Sequence, residues 1–181
     1  MKFVAVIPAR IGSKRLPGKP LLDIAGQPMI QHVYARASES KADRVLVATD
    51  DQRIADAVTS FGGECLMTRD DHPTGTDRLA EVADLLKLSA DTIVVNVQGD
   101  EPLLPAPVIQ QVVEILEKHP QASIATLCEP IHRVSDIEDP NQVKVVKSQS
   151  GRALYFSRAR IPMNSSIDCG VHYRHIGLYA Y

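Results

Sequence analysis

Apolar residues follow two rhythms along the chain. "KFVAVIPA" (Lys2 to Ala9), "RVLVATD" (Arg44 to Asp50), "GECLMT" (Gly63 to Thr68) and "DTIVVNVQ" (Asp91 to Gln98) read as strands. The first, second and fourth are almost continuously apolar and rich in Val and Ile, which suits strands buried on both faces of a parallel sheet. Between and after them the spacing changes to i, i+3, i+4, i+7. Ile30, Val33, Tyr34 and Ala37 form one such stripe, and Ile54, Ala57, Val58 and Phe61 a second. Leu79, Val82, Ala83 and Leu86 form a third, and Ile109, Val112, Val113 and Leu116 a fourth. Each predicts a helix with one face laid on a sheet. Pro28 suits a first helical turn and Gly62 a C-terminal cap.

This alternation predicts an α/β layered fold. After Pro120 the pattern shifts to the strand-like "ASIATLCEP", "NQVKVVKS", "RALYFSRA" and "RHIGLYAY". These predict a smaller β-rich lobe with mixed or antiparallel pairing. "HRVSDIEDPN" (His132 to Asn141) reads as a polar connection within one domain spanning residues 1–181. The apolar end "RHIGLYAY" leads to the expectation that the native chain continues past Tyr181, because domains usually finish on a polar tail or a docked helix.

Composition narrows the function classes. Of 181 residues, 44% are hydrophobic and 23% charged, as in ordinary globular proteins. A formal net charge of -2 offers no global attraction to nucleic acid or to an anionic membrane. Cys65, Cys128 and Cys169 are widely spaced with no CxxC pair, which argues against zinc or a disulfide framework and fits a reducing cytoplasm. Phe3 to Ala9 is too short for a signal-peptide core, and no apolar run reaches membrane-spanning length.

Against that neutral background, "IPARIGSKRLPGKPL" (Ile7 to Leu21) is locally basic. Arg10, Lys14, Arg15 and Lys19 occur with no acid before Asp23. A P-loop needs G-x-x-x-x-G-K-[ST] opening a helix. Here five residues separate Gly12 from Gly18, and Pro20 follows Lys19. A dinucleotide fingerprint needs three glycines at fixed spacing, and Gly12 is alone in its region. What remains is a longer phosphate-holding loop after a first strand. Gly12 and Ser13 can offer backbone N–H groups and a hydroxyl, Arg10 a fork, and Lys19 a point charge.

Three further stretches fall at predicted strand or helix ends. In "VNVQGDEPLL", Gln98, Asp100 and Glu101 follow a buried strand. Taken alone they are equally an Asx-type turn or a Mg²⁺ ligand set; the basic loop on a neighbouring strand end favours the metal. In "HPTGTDRLAEV", Thr74 or Thr76 can cap the third helix, and Arg78 at its start is placed to read a base edge. In "HYRHIG", His172 and His175 sit three apart in a strand and so face opposite sides, which rules out a shared metal. His175 is either a hydrogen-bonded core residue or a ligand contact. No Ser-His-Asp or Cys-His arrangement supports covalent catalysis.

The ordered set "IPARIGSKRLPGKPL", "VATDD", "HPTGTDRLAEV", "VNVQGDEPLL", "NQVKVV", "LYFSRARIP" and "RHIGLYAY" resembles the CMP-Kdo synthetases, the 3-deoxy-manno-octulosonate cytidylyltransferases of the sugar nucleotidyltransferase superfamily. The resemblance implies a Rossmann-like, mainly parallel mixed sheet flanked by helices. It implies a cytoplasmic homodimer that transfers CMP from CTP to Kdo with Mg²⁺, releasing pyrophosphate and supplying lipopolysaccharide inner-core synthesis. Carried over residue by residue, Ala9, Arg10, Ser13, Lys19, Thr74 and Arg78 would bind CTP. Asp100 would bind Mg²⁺, with Arg10, Lys19 and Asp100 catalytic. Arg15, Gln98, Arg158, His175 and Tyr179 would surround the sugar acid. The family draws a second metal-binding aspartate from beyond the position of Tyr181, and "PMNSSIDCGVHY" is shorter and less acidic than the family's usual insertion. Three alternatives stay in view: an 8-amino-Kdo enzyme, a sialic acid cytidylyltransferase, and a truncated CTP-binding module without activity.

Overall fold

Phe3–Ala9 forms the first strand, β1, buried almost throughout, as its unbroken apolar run requires. The computed structural model describes residues 2–12, 16–163 and 171–181. They fall into two compact units, 1–125 with 178–181, and 126–177.

In the first unit β1 is followed by a short 3-10 turn at Lys19–Leu21 and a small hairpin, β2 (Asp23–Ile24) and β3 (Gln27–Pro28). The hairpin leads into α1 (Met29–Ser38), with Pro28 as its N-cap. Then come β4 (Arg44–Thr49), α2 (Gln52–Ser60), β5 (Cys65–Met67), α3 (Gly75–Leu85), β6 (Ile93–Asn96) and α4 (Ala106–Lys118). All four helical stripes are thus helices. Gly62 follows α2 with φ 78°, the left-handed conformation that ends a helix without a Cβ clash.

The strands pair in parallel in the order β5-β4-β1-β6. Alternation along β1 divides the core. Val4 and Val6 pack with Leu46, Ala48, Leu79 and Val82, under α3. Ala5 and Ile7, fully buried, turn to the opposite face. A last strand, β10 (Tyr173–Ala180), enters this unit with its final residues, where Tyr179 and Ala180 pair antiparallel with Asn96 and Val95 of β6. The sheet is therefore mixed and mainly parallel, with helices against it.

The second unit is β-rich. It holds most of β7 (Ala125–Pro130), then α5 (Val134–Glu138), β8 (Lys144–Lys147), β9 (Ala153–Ser157) and the first part of β10. β8 pairs antiparallel with both β10 and β9, and β7 pairs with β10. The stretch expected to be a plain polar connection contains α5. Its apolar content is too small for a helical stripe: Ile137 is its one buried residue.

Gly99, just beyond β6, has a steric role. A Cβ on it would lie 2.9 Å from the Pro8 carbonyl oxygen of β1. A Cβ on Gly75, at the start of α3, would lie 3.4 Å from Pro8 Cγ. The chain therefore brings the ends of β1 and β6 and the start of α3 together around Pro8. Substituting Gly99→Ala forces backbone apart and should cost about 1–3 kcal/mol. Urea unfolding measures this, and a midpoint equal to the parent's would show that the close approach is not required.

Candidate functional site

Parallel sheets bind ligands outside the carboxyl ends of their strands, at the point where strand order reverses. In the order β5-β4-β1-β6 that point lies between β1 and β6. Ala9 closes β1 and is buried, and Arg10 follows it, exposed. Gln98, Gly99 and Asp100 follow β6 at the same end.

The loop after β1 returns toward this end. Gly18 N–H donates to the Ile11 carbonyl at 3.1 Å, which closes the loop on itself. Lys19 then starts the 3-10 turn, and its Nζ donates to Asp100 Oδ2 at 2.7 Å. Two residues chosen separately, one as a phosphate cation and one as a metal carboxylate, are thus direct partners. The Asp100 side chain is 51% exposed, so the pair is open to solvent. Ser13 and Arg15 lie outside the described residues.

The third helix contributes through its start. Thr74 is the N-cap of α3: its Oγ1 accepts from the Asp77 N–H at 3.2 Å, while the Asp77 carboxylate accepts from the Thr74 N–H at 3.1 Å. This reciprocal capping box satisfies two orphan donors. The Thr74 hydroxyl also donates to Asp77 Oδ2 at 2.5 Å, so its side chain is committed within the helix start. Thr76 instead shares a hydrogen bond with the Tyr181 hydroxyl at 3.2 Å.

Arg78 lies on the buried stripe of α3 and is only 3% exposed. Its Nη2 donates to Asp50 Oδ2 at 3.0 Å, and its Nη1 donates to the Thr68 hydroxyl. Thr68 Oγ1 in turn donates to the Thr49 carbonyl at 3.1 Å. Asp50 and Thr68 follow β4 and β5, so one guanidinium is fixed at the carboxyl ends of two strands. The sequence reading carries Asp50 in "VATDD" without a role, and it missed Thr68. The signal was the placement of both just after strands, at the end where Arg78 begins its helix.

Also in this unit, Tyr179 on β10 is half-buried, and its ring stacks on Tyr181 with centroids 6.2 Å apart. Burial, with the neighbouring Tyr181 adding, pushes its phenol above the ordinary tyrosine value.

The remaining predicted residues belong to the second unit. His175 on β10 shares a hydrogen bond between Nε2 and Thr126 Oγ1 at 3.0 Å, and meets the Phe156 ring edge-on at 5.0 Å. Burial pushes its pKa below the ordinary histidine value, which favours the neutral ring. His172 is buried, with Nδ1 against the Ile161 carbonyl at 2.9 Å. Arg158, just after β9, is exposed and donates through Nη1 to the Pro140 carbonyl at 2.9 Å. No group of three or more His, Cys, Asp or Glu side chains suited to a metal occurs among the described residues. None of the helices described is long and apolar enough to cross a membrane.

Comparison with known proteins agrees over the whole chain. The cytidylyltransferase family profile matches residues 4–181. A 3-deoxy-manno-octulosonate cytidylyltransferase of Hahella chejuensis is 63% identical, over 99% of this chain and 74% of the relative. That of Chromohalobacter salexigens is 58% identical, over 98% and 72%. A solved structure of CMP:2-keto-3-deoxy-manno-octonic acid synthetase complexed with CTP superposes with a TM-score of 0.92 at 48% identity, covering 100% of this chain and 74% of that one. A glucose-1-phosphate thymidylyltransferase from Bacillus anthracis, 18% identical with a TM-score of 0.64, shares the fold. By profile, identity and coverage together, the chain belongs to the cytidylyltransferase family.

Proposed function

We propose that this enzyme transfers CMP from CTP to 3-deoxy-D-manno-octulosonate (Kdo), giving CMP-Kdo and pyrophosphate for lipopolysaccharide synthesis. The observation that carries this reading is the pairing of Lys19 with Asp100 where the order of β1 and β6 reverses. That location suits a triphosphate, and the relatives named above supply the identity of nucleotide and sugar.

The chemistry is an in-line displacement. The sugar's anomeric oxygen forms a bond to the α-phosphorus while the bond to the bridging α,β-oxygen breaks, and the anomeric hydroxyl loses its proton. In this reading Arg10, Lys19 and the Ala9 backbone hold the triphosphate, with Ser13 assigned to the same task. Arg78, buried and held by Asp50 and Thr68, is assigned to the cytosine end of the nucleotide. Thr74, whose hydroxyl is committed to its cap, serves the base through its backbone. Arg158 offers its guanidinium to the sugar carboxylate, as planar forks do. Gln98, Tyr179 and a neutral His175 serve the hydroxyls, with Arg15 assigned to the same group. Catalysis then rests on alignment and charge neutralisation, with no protein nucleophile.

Mg²⁺ fits the residues present. Mg²⁺ needs only one or two carboxylates when substrate phosphates complete its shell, and the half-exposed Asp100 carboxylate already attracts a cation, the Lys19 ammonium. Asp100 would hold the ion, which when bound neutralises phosphate charge. A homodimer is supported by β9, the last strand in its sheet, on which Leu154, Tyr155 and Phe156 are exposed. An apolar edge of this kind invites pairing with another copy. The enzyme is assigned to the cytoplasm.

Pyrophosphate release should require CTP and Kdo together; equal release when sialic acid replaces Kdo would overturn the acceptor. Asp100→Ala should lower the rate by about 10²-fold or more while leaving thermal unfolding nearly unchanged, because the side chain is exposed. Because the folded His175 binds its proton less readily than the unfolded chain, its contribution to stability is present above about pH 6.5 and declines as pH falls below it. Urea midpoints from pH 7 to 5 should therefore fall more in the parent than in His175→Gln; parallel curves would refute this. Leu154→Glu should shift sedimentation toward a monomer, and an unchanged coefficient would remove β9 from the interface.

A further inference from the structure

The motif "NQVKVV" places a lysine where the assigned functions leave it unused. Lys144, on β8, has 0% exposure, yet it carries an ammonium group. Its Nζ donates to two backbone carbonyls, Asp139 O and Gln142 O, each at 2.7 Å. Burying an ammonium is costly, and an apolar side chain of equal length would fill the same space without that cost. The charge therefore calls for an explanation beyond packing.

The two carbonyls belong to one turn. The Asp139 carboxylate accepts from the Asn141 N–H at 2.8 Å and from Asn141 Nδ2 at 2.9 Å, and Gln142 N–H donates to the Asp139 carbonyl at 3.2 Å. Between the two clamped ends stands Pro140, which has no N–H and offers only its carbonyl. That carbonyl accepts the Arg158 Nη1 bond at 2.9 Å. The base of Arg158 is also fixed: Lys144 lies opposite Ser157 in the β8–β9 ladder, and Ser157 Oγ accepts from the Ala159 N–H at 3.0 Å. That bond orients the guanidinium of an exposed side chain, which carries further N–H groups able to meet a ligand.

We propose that Lys144 is a positioning residue: its buried ammonium clamps the 139–142 turn so that the Pro140 carbonyl holds Arg158 in the orientation that receives the carboxylate of the acid sugar. The inference rests on the assignment of Arg158 to that carboxylate. A clamp of this kind limits the rotamers Arg158 must give up on binding, so its loss weakens the carboxylate interaction without touching the nucleotide.

A double-mutant cycle separates the two claims, with KM for Kdo and for CTP measured on the parent, Lys144→Met, Arg158→Ala and the double variant. Lys144→Met keeps the length of the stem and removes the charge. It should raise KM for Kdo about tenfold, the scale of a charge-assisted hydrogen bond, and leave KM for CTP unchanged. In the Arg158→Ala background the same substitution should add nothing. If Lys144→Met raises KM for Kdo equally with and without Arg158, or raises both KM values alike, Lys144 does not act through Arg158. If Arg158→Ala itself leaves KM for Kdo unchanged, the carboxylate assignment fails and the positioning role fails with it. Should Lys144→Met not fold, Asn141→Ala loosens the same turn from its exposed side. It should raise KM for Kdo several-fold in the parent and not in Arg158→Ala; an equal effect in both overturns the proposal.

Discussion

At the carboxyl ends of β1 and β6 two backbones run closer than any side chain would allow, with Gly99 set directly against the Pro8 carbonyl. The parallel ladder continues into this contact: Val97 N–H donates to the Val6 carbonyl at 2.9 Å. Everything assigned to the triphosphate hangs from that approach. Arg10 lies two residues after Pro8, and Asp100 one residue after Gly99. The start of α3 meets the same proline through Gly75, which brings the capped Thr74 and the buried Arg78 to this end of the sheet.

The two units use arginine in contrasting ways. In the first, Arg78 is withdrawn from water and held by a carboxylate and a hydroxyl that are themselves anchored at strand ends. Such a group is rigid before a ligand arrives. In the second, Arg158 is exposed and steadied by the Pro140 carbonyl, whose own position depends on a buried ammonium. Both arrangements supply a fixed fork, one by burial and the other by bracing. The charge that keeps Arg78 in place is an acid; for Arg158 the stabilising charge is another cation, acting at one remove through the backbone.

The layered fold was legible because β1, β4 and β6 are buried on both faces and the four long helices carry full apolar stripes. Short elements were not. The 3-10 turn at Lys19 and the β2–β3 hairpin are too brief to show a period, and α5 buries little but Ile137. At the site, the placement of Lys19 and Asp100 at strand ends was readable, but their mutual contact spans 81 positions and depends on the path of a loop. In the sequence Arg78 reads as a helix-start residue placed to meet a base edge. Its burial depends on Asp50 and Thr68, which adjoin it only after three strands and a helix have assembled. Lys144 lies between Val143 and Val145 in the strand-like "NQVKVVKS", where nothing marks it as buried. It is enclosed because the 139–142 turn folds over its ammonium.

The Lys19–Asp100 pair lies open to water. An ion pair in water contributes only about 0–1 kcal/mol, so it can be exchanged for other partners with little consequence for the fold. While it lasts, the ammonium and the carboxylate cancel. Two residues that each attract an ion of opposite sign are, while paired, jointly quiet.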